Sequence, residues 1–361
     1  MILLLACAGH APVRTAPDMA APPSEVAPEP PPPLPPTAWR AGVWPGPAVL
    51  ARPVEVWSKT LPGPITEPLA TDGANVYAVV EGRVYAFAAD GTPRWNIRSL
   101  ASGPVGITDQ GPTVGTETGS VVVLDPANGT TLASIVGGGP VRGAPLQLGP
   151  SVVWATVHGA VASTGSWAND AALSAAGGVA GADGVVYLAT LEGELLAVDA
   201  TGVRWRSPLP ASAAEGPALD ADHVYVAVTS TPGHPGGVLA FDRTGAEVWR
   251  RQTEFQPAAP LSVGAYVYVP DKDGHVYALA RDTGAIVWAA EGFGEFGAQP
   301  LVVAGQVYAG NADGNLYRID SDGGVVWKVA LGAAVTGDPV FVGGRIVAGL
   351  ANGRIVAVAA E

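Results

Sequence analysis

The sequence predicts an all-β chain folded as an eight-bladed β-propeller of four-stranded antiparallel blades. Three observations carry this reading: a strand-turn-strand phrase that keeps returning, a Trp that returns with it, and incomplete units at the two chain ends. The phrase is read in "LEGELLAVDATGVRW" (191–205), "DKDGHVYALARDTGAIVW" (271–288) and "NADGNLYRIDSDGGVVW" (311–327). A repeat near 40 residues that contains four strands cannot bury its faces alone and must stack on copies of itself.

Each unit opens with a Pro and an apolar neighbour, as in Pro68-Leu69, Pro145-Leu146, Pro260-Leu261, Pro300-Leu301 and Pro339-Val340. A strand then runs into a residue-Gly pair: Glu81-Gly82, Thr118-Gly119, His158-Gly159, Glu192-Gly193, Gly236-Gly237, Asp273-Gly274, Asp313-Gly314 and Asn352-Gly353. Such pairs predict two-residue hairpins, because primed turns need positive φ. Next comes an Asp-to-Gly turn, from Asp125 to Gly129, Asp199 to Gly202, Asp242 to Gly245 and Asp320 to Gly323 or Gly324. There the Asp carboxylate can accept turn amides and Gly can take the left-handed position.

A Trp follows. The slots fall at Trp57, Trp95, Ala133, Trp167, Trp205, Trp249, Trp288 and Trp327, about 39 residues apart, with the second-blade Trp lost. The last unit, "DPVFVGGRIVAGLANGRIVAVAAE", stops after three strands, and "RPVEVWSKTLPG" offers a Trp strand with nothing before it. The Trp57 strand is therefore expected to complete the last blade and remove an open sheet edge.

Composition excludes several classes. The net charge is −13, with 32 acidic and 19 basic residues, so a phosphate-tracking face, and with it nucleic-acid binding, is not expected. One cysteine, Cys7, allows no internal disulfide and no cysteine metal site. With 361 residues the chain can build a large core instead, and a monomeric propeller is expected.

The pattern VYVxxxDGxLYALDxxTGxxxW resembles the repeat of the PQQ-like propellers across residues 55–361. Leu4-Leu5-Ala6-Cys7 resembles a bacterial lipobox, with lipidation expected at Cys7 in residues 1–10. Only six residues precede Cys7 and none is basic. The lipoprotein reading thus carries an upstream start with it, and the alternative is an apolar N-terminus with a free thiol. Residues 11–40 form a Pro-rich linker, with eleven prolines between 11 and 37, and the propeller domain spans 41–361. Within the PQQ-like group, the lipobox, spacer and blade number resemble the BamB family. That resemblance implies a lipid-anchored protein at the periplasmic face of the outer membrane. It also implies protein partners, with the barrel-assembly machinery as the candidate. A different ligand-binding or sensing envelope propeller is the alternative.

No catalytic, cofactor or metal residues are expected. A ring of Trp could stack a quinone or a sugar, but a Trp at one fixed slot per repeat is more simply packing between blades. The same holds for Tyr77, Tyr187, Tyr225, Tyr268 and Tyr308. "DKDG" at 271–274 starts like a calcium loop, yet Gly is fourth rather than sixth, so turn capping is the better reading. PQQ dehydrogenases, by resemblance, add calcium, an Asp base and usually a cysteine pair, which this chain lacks. His10, His158, His223, His234 and His275 show no metal-ligand spacing. The repeat breaks at a shortened third blade, "HGAVASTGSW", and at a fifth-blade insertion, "TSTPGHPGG" (229–237). Thr231, Pro232, His234 and Pro235 in the insertion are candidate partner contacts.

Overall fold

The structure is a computed structural model and describes residues 43–44, 53–165, 167–170, 174–230, 236–252, 256–258 and 261–360. Cys7, the Pro-rich linker at 11–40, and Thr231, Pro232, His234 and Pro235 lie outside these residues.

Short Val- and Tyr-rich runs punctuated by Gly and Asp fold into eight sheets of four antiparallel strands. Blades 1 to 7 cover 70–98, 106–136, 141–170, 180–208, 218–252, 262–291 and 301–330. Blade 8 takes three strands from 335–360 and its fourth from Pro53–Thr60. First strands of neighbouring blades touch one another, so they converge on the axis. Fourth strands form the perimeter, and Val325–Ala330 shows the pattern: alternate residues are exposed and half-buried. Second strands such as Asn75–Val80 are buried along almost their whole length.

The core is divided among the blade interfaces. Eight apolar clusters occur among the described residues, and each joins two adjacent blades. The cluster between blades 8 and 1 contains Ile65, Val76, Phe87, Val347 and Ile355, with Trp57 packed against it.

The expected closure is present. Pro53–Thr60 pairs antiparallel with Arg354–Ala360, from Pro53 opposite Ala360 to Thr60 opposite Arg354. Arg354 donates to the Glu55 carboxylate at 2.9 Å, and the Leu61 amide donates to the Gly353 carbonyl at 2.8 Å. The Trp57 indole reaches onward to blade 1, donating to the Ala89 carbonyl at 3.0 Å. One strand therefore fastens blade 8 to itself and to blade 1.

Two features differ from expectation. Of the residue-Gly pairs, only Glu81-Gly82 forms a two-residue primed turn, with φ of 51° and 70°. Six others are longer turns: the amide of Gly119, Gly159, Gly193, Gly274, Gly314 or Gly353 donates back to the carbonyl three residues earlier. In these a type I turn precedes one left-handed Gly, so the residue before Gly needs no positive φ. Gly236-Gly237 is not a turn dipeptide, because Gly237 already starts the strand Gly237–Asp242. Primed two-residue turns instead join first to second strands, at Asp183-Gly184, Ala304-Gly305 and Gly343-Gly344. The second difference is an added strand. Val43–Trp44 pairs in parallel with Leu301–Val303, the first strand of blade 7, on its axial side.

Removing residues 1–60 deletes the closing strand and the Trp57 contact, and is expected to lower stability by several kcal/mol, given roughly 3–5 kcal/mol for a buried Trp. Removing 1–37 spares both and should leave the melting temperature unchanged. Equal melting temperatures for the two truncations would contradict this closure.

Candidate functional site

Strand alternation sorts the connections onto two faces. Turns from first to second and from third to fourth strands share one face. Hairpins from second to third strands, and the connectors between blades, share the other.

On the first face five of the turns between third and fourth strands receive the Trp of the preceding blade. The indole N–H of Trp57, Trp95, Trp205, Trp249 and Trp288 donates to the carbonyl of Ala89, Pro126, Arg243, Arg281 and Ser321, at 2.7–3.0 Å. Each carbonyl lies two or three residues before the turn glycine. A Cβ on that glycine would meet the indole: 2.4 Å at Gly284 against Trp249, and 2.7 Å at Gly245 against Trp205. Gly is thus required for its φ, +66° at Gly284, and for the closeness of the Trp. Within each blade the Trp also leans on the expected Tyr. Tyr77, Tyr187, Tyr225, Tyr268 and Tyr308 lie 5.8–5.9 Å from Trp95, Trp205, Trp249, Trp288 and Trp327. Trp167 packs against the cluster between blades 3 and 4. The slot tryptophans are therefore spread around the ring, at most one to a blade, and do not gather at a site.

The carboxylates of this face serve their own turns. Asp242 accepts the Thr244 and Ala246 amides at 2.8 and 3.0 Å, and Asp320 accepts those of Asp322 and Gly324 at 3.0 and 2.7 Å. The Thr201 hydroxyl and amide, with Arg204, hold the Asp199 carboxyl down to about 2. Asp220 is buried, which works against its charge. The Tyr225 hydroxyl at 2.7 Å and two amides outweigh burial and keep it below the usual range. Blade 3 lacks the turn Asp, and a hydroxyl replaces it: the Gly165 amide donates to Ser163 Oγ at 3.0 Å.

The opposite face holds an axial funnel of about 320 Å³, lined by connectors entering all eight blades. Its rim is largely backbone. A Cβ on Gly143 would stand 2.3 Å from Gly178 Cα, and one on Gly216 2.1 Å from the Gly178 carbonyl oxygen. The charged lining residues are Glu67, Glu215 and Asp338. Among the described residues no three His, Cys, Asp or Glu side chains are placed to share a metal ion. His158 and His275 sit on the hairpins of this face, and His275 Nδ1 lies 3.0 Å from Asp273.

Large apolar side chains stand out to solvent on the connections of the funnel face. Phe293 is 84% exposed, with Lys328 Nζ 4.3 Å from its ring centre, and Val136 is 86% exposed. Leu191 and Leu100 join them. Leu100 holds a left-handed φ of 53°, sparsely allowed for Leu. It is fastened there by Ser99 and Ala101 amides on the Gly82 carbonyl and by the Glu117 amide on its own carbonyl. The flanking strands of the blade 5 insertion, His223–Val228 and Gly237–Asp242, end on this face too.

A family model described as "Outer membrane protein assembly factor BamB" matches residues 151–233 and 234–361, more than half of the chain. The chain belongs to the BamB family. Among solved structures, BamB from Moraxella catarrhalis is similar at 20% identity and a TM-score of 0.66, covering 86% of this chain and 98% of that one. The computationally designed Ika8 protein matches at 18% identity and a TM-score of 0.70 (84% and 99%). Sqt1 of Saccharomyces cerevisiae matches at 9% and 0.69 (83% and 96%). At these identities the likeness is one of fold, shared by a designed protein and a yeast protein alike. No curated protein matches the sequence.

Sequence reasoning missed Trp154. It is fully buried between blades 2 and 3 with Val121, Val141, Val152 and Ile135, and its indole donates to the Gly137 carbonyl at 3.0 Å. The signal was available: blade 2 carries Ala133 where its Trp should be, and the next tryptophan along the chain is off the repeat register. The cluster it completes has only four fully buried residues, the smallest of the eight among the described residues. Trp154→Ala is expected to cost about 3–5 kcal/mol. Hydrogen exchange should then rise first in 111–124 and 151–156. A loss below about 1 kcal/mol would show that this interface does not depend on the replacement.

Proposed function

We propose that the chain is a non-catalytic scaffold of the bacterial envelope that holds protein partners on its funnel face. Its role is the one named in its family's description, outer-membrane protein assembly. The observation that carries this is the contrast between the faces. On one, the turns are occupied by Trp docking and their carboxylates by turn amides. On the other, Phe293, Leu100, Val136 and Leu191 stand exposed on rigidly fastened connections. Aromatic and aliphatic anchors on a rigid surface, ringed by polar groups, are what protein interfaces use for most of their binding energy. The family's setting supports a periplasmic site at the outer membrane. Lipidation at Cys7 would supply the anchor, and components of the barrel-assembly machinery are the first partners to test.

A ligand-binding or sensing propeller is the second reading, and the axial funnel favours it. The funnel has the volume of a small-molecule site, and its rim combines backbone polar groups with three carboxylates.

Binding to purified periplasmic domains of the barrel-assembly machinery separates the two. Phe293→Ala combined with Leu191→Ala should weaken binding about 30-fold or more, as expected for anchors worth about 2 kcal/mol or above. The melting temperature should hold, because both side chains are exposed. Unchanged affinity in the double variant would refute the funnel-face assignment.

A further inference from the structure

Two hairpins of the funnel face, "DKDGHVY" (271–277) in blade 6 and "NADGNLY" (311–317) in blade 7, form an internal comparison. Their backbone and Tyr hydrogen bonds correspond. The amides of Asp271 and Asn311 donate to the carbonyls of His275 and Asn315 at 2.9 and 3.0 Å. The amides of Asp273 and Asp313 donate to Asp271 Oδ1 and Asn311 Oδ1 at 2.9 and 2.8 Å. The hydroxyls of Tyr277 and Tyr317 donate to Asp273 and Asp313 at 2.8 and 2.6 Å.

One atom differs. Asn311 uses Nδ2 to donate to the Gly294 carbonyl at 2.6 Å. Asp271 has Oδ2 in its place, and that oxygen is buried with no hydrogen-bond partner, on a residue 0% exposed. The same slot in blades 2, 3 and 4 is filled by Thr116, Thr156 and Thr190, all buried. Each of those side chains carries a hydrogen as well as an acceptor, and a carboxylate carries none. An ionised carboxylate with one oxygen buried and unpaired is costly, and a carboxylic acid restores the hydrogen that Asn and Thr supply.

We propose that Asp271 stands in the folded chain as a neutral carboxylic acid, a proton-dependent latch whose ionisation loosens the blade 6 hairpin of the funnel face. The groups around it agree. On its own hairpin, Asp273 adds a negative charge two residues away and keeps its own ionisation through Tyr277 and His275. Lys272 and Asp271 share no ion pair. From the connector before blade 7, Phe296 donates its amide to the Asp271 carbonyl at 3.1 Å, with Glu295 beside it in sequence. From the connector before blade 6, Gln256 and Pro257 supply backbone: the Lys272 amide donates to the Gln256 carbonyl, Pro257 bridges Asp271, and the Gln256 amide beside the carboxyl works against the effect of burial without overcoming it. Burial, with Asp273 adding to it, pushes the Asp271 carboxyl up to about 7. The sign follows. A folded value raised above the unfolded one gives stability that is complete below the ordinary carboxylate range and lost as pH rises through the raised value.

Hydrogen exchange across 267–279, corrected for intrinsic rates, should be compared at pH 5.5 and 8.5 in the wild type and in Asp271→Asn. The hairpin at 307–319 serves as the reference within the same molecule. Wild-type protection of 267–279 should fall about tenfold for each pH unit from pH 5.5 up to the ionisation of Asp271, and level off above it. Protection in Asp271→Asn should be flat and should match 307–319. Parallel pH profiles in the two proteins would overturn the proposal. So would an Asp271→Asn variant that does not fold, since blade 7 accommodates Asn in this slot. Millimolar calcium that restored wild-type protection at pH 8.5 would also overturn it, because a cation rather than a proton would then be the resident.

Discussion

The structure depends on the seating of one blade's Trp on the next blade's turn glycine. The indole brings a large apolar surface and one N–H, and the turn brings a carbonyl and a residue without a Cβ. Burying a Trp this way needs its N–H satisfied, and the carbonyl before the glycine does that at each of the five docks seen. The fit is exclusive: any residue larger than Gly would overlap the ring, and any residue but Gly would resist the backbone angle. Because each dock joins two blades, the ring is held as a chain of pairwise contacts, and the eight apolar clusters follow the same division. The Trp57 strand matters because it converts that chain into a closed circle.

This arrangement assigns the faces. The Asp carboxylates that fill these turns order the loop, and those of Asp199 and Asp242 are held below the usual range by the hydroxyls and amides they accept. They are structural at the positions where a carboxylate-rich repeat suggests cation or cofactor chemistry. The funnel face is freed from docking, so its connectors carry residues that the fold does not demand: Phe293 and Val136 in solvent, and Leu100 in a conformation the chain must force.

The fold was legible because its determinants repeat. Trp slots, turn glycines and the Tyr before each Trp recur at a fixed period, and an incomplete unit at each end gives the closure. Several features were hidden because they occur once. Trp154 replaces a lost dock from the other side of its interface, so it falls outside the period. The pairing of Val43–Trp44 with blade 7 is a backbone event with no side-chain signature. The hairpin type was misread because a residue-Gly pair fits either a two-residue primed turn or a type I turn ending in a left-handed Gly. Only the number of residues between strand ends distinguishes them. Asp271 looked like one more turn carboxylate, and its difference from Asn311 emerges only when the burial of its second oxygen is known.

A double-mutant cycle on Trp249 and Gly284 tests the docking account most directly. Trp249→Ala alone should cost about 3–5 kcal/mol. Gly284→Ala alone should cost about 1–3 kcal/mol, because its methyl strikes the indole at a strained φ. With the indole gone that methyl has space, so the double variant should fall short of the sum by more than about 1 kcal/mol. Additivity within about 0.5 kcal/mol would mean that the two residues act independently. It would contradict the claim that the blades are held together by this fit.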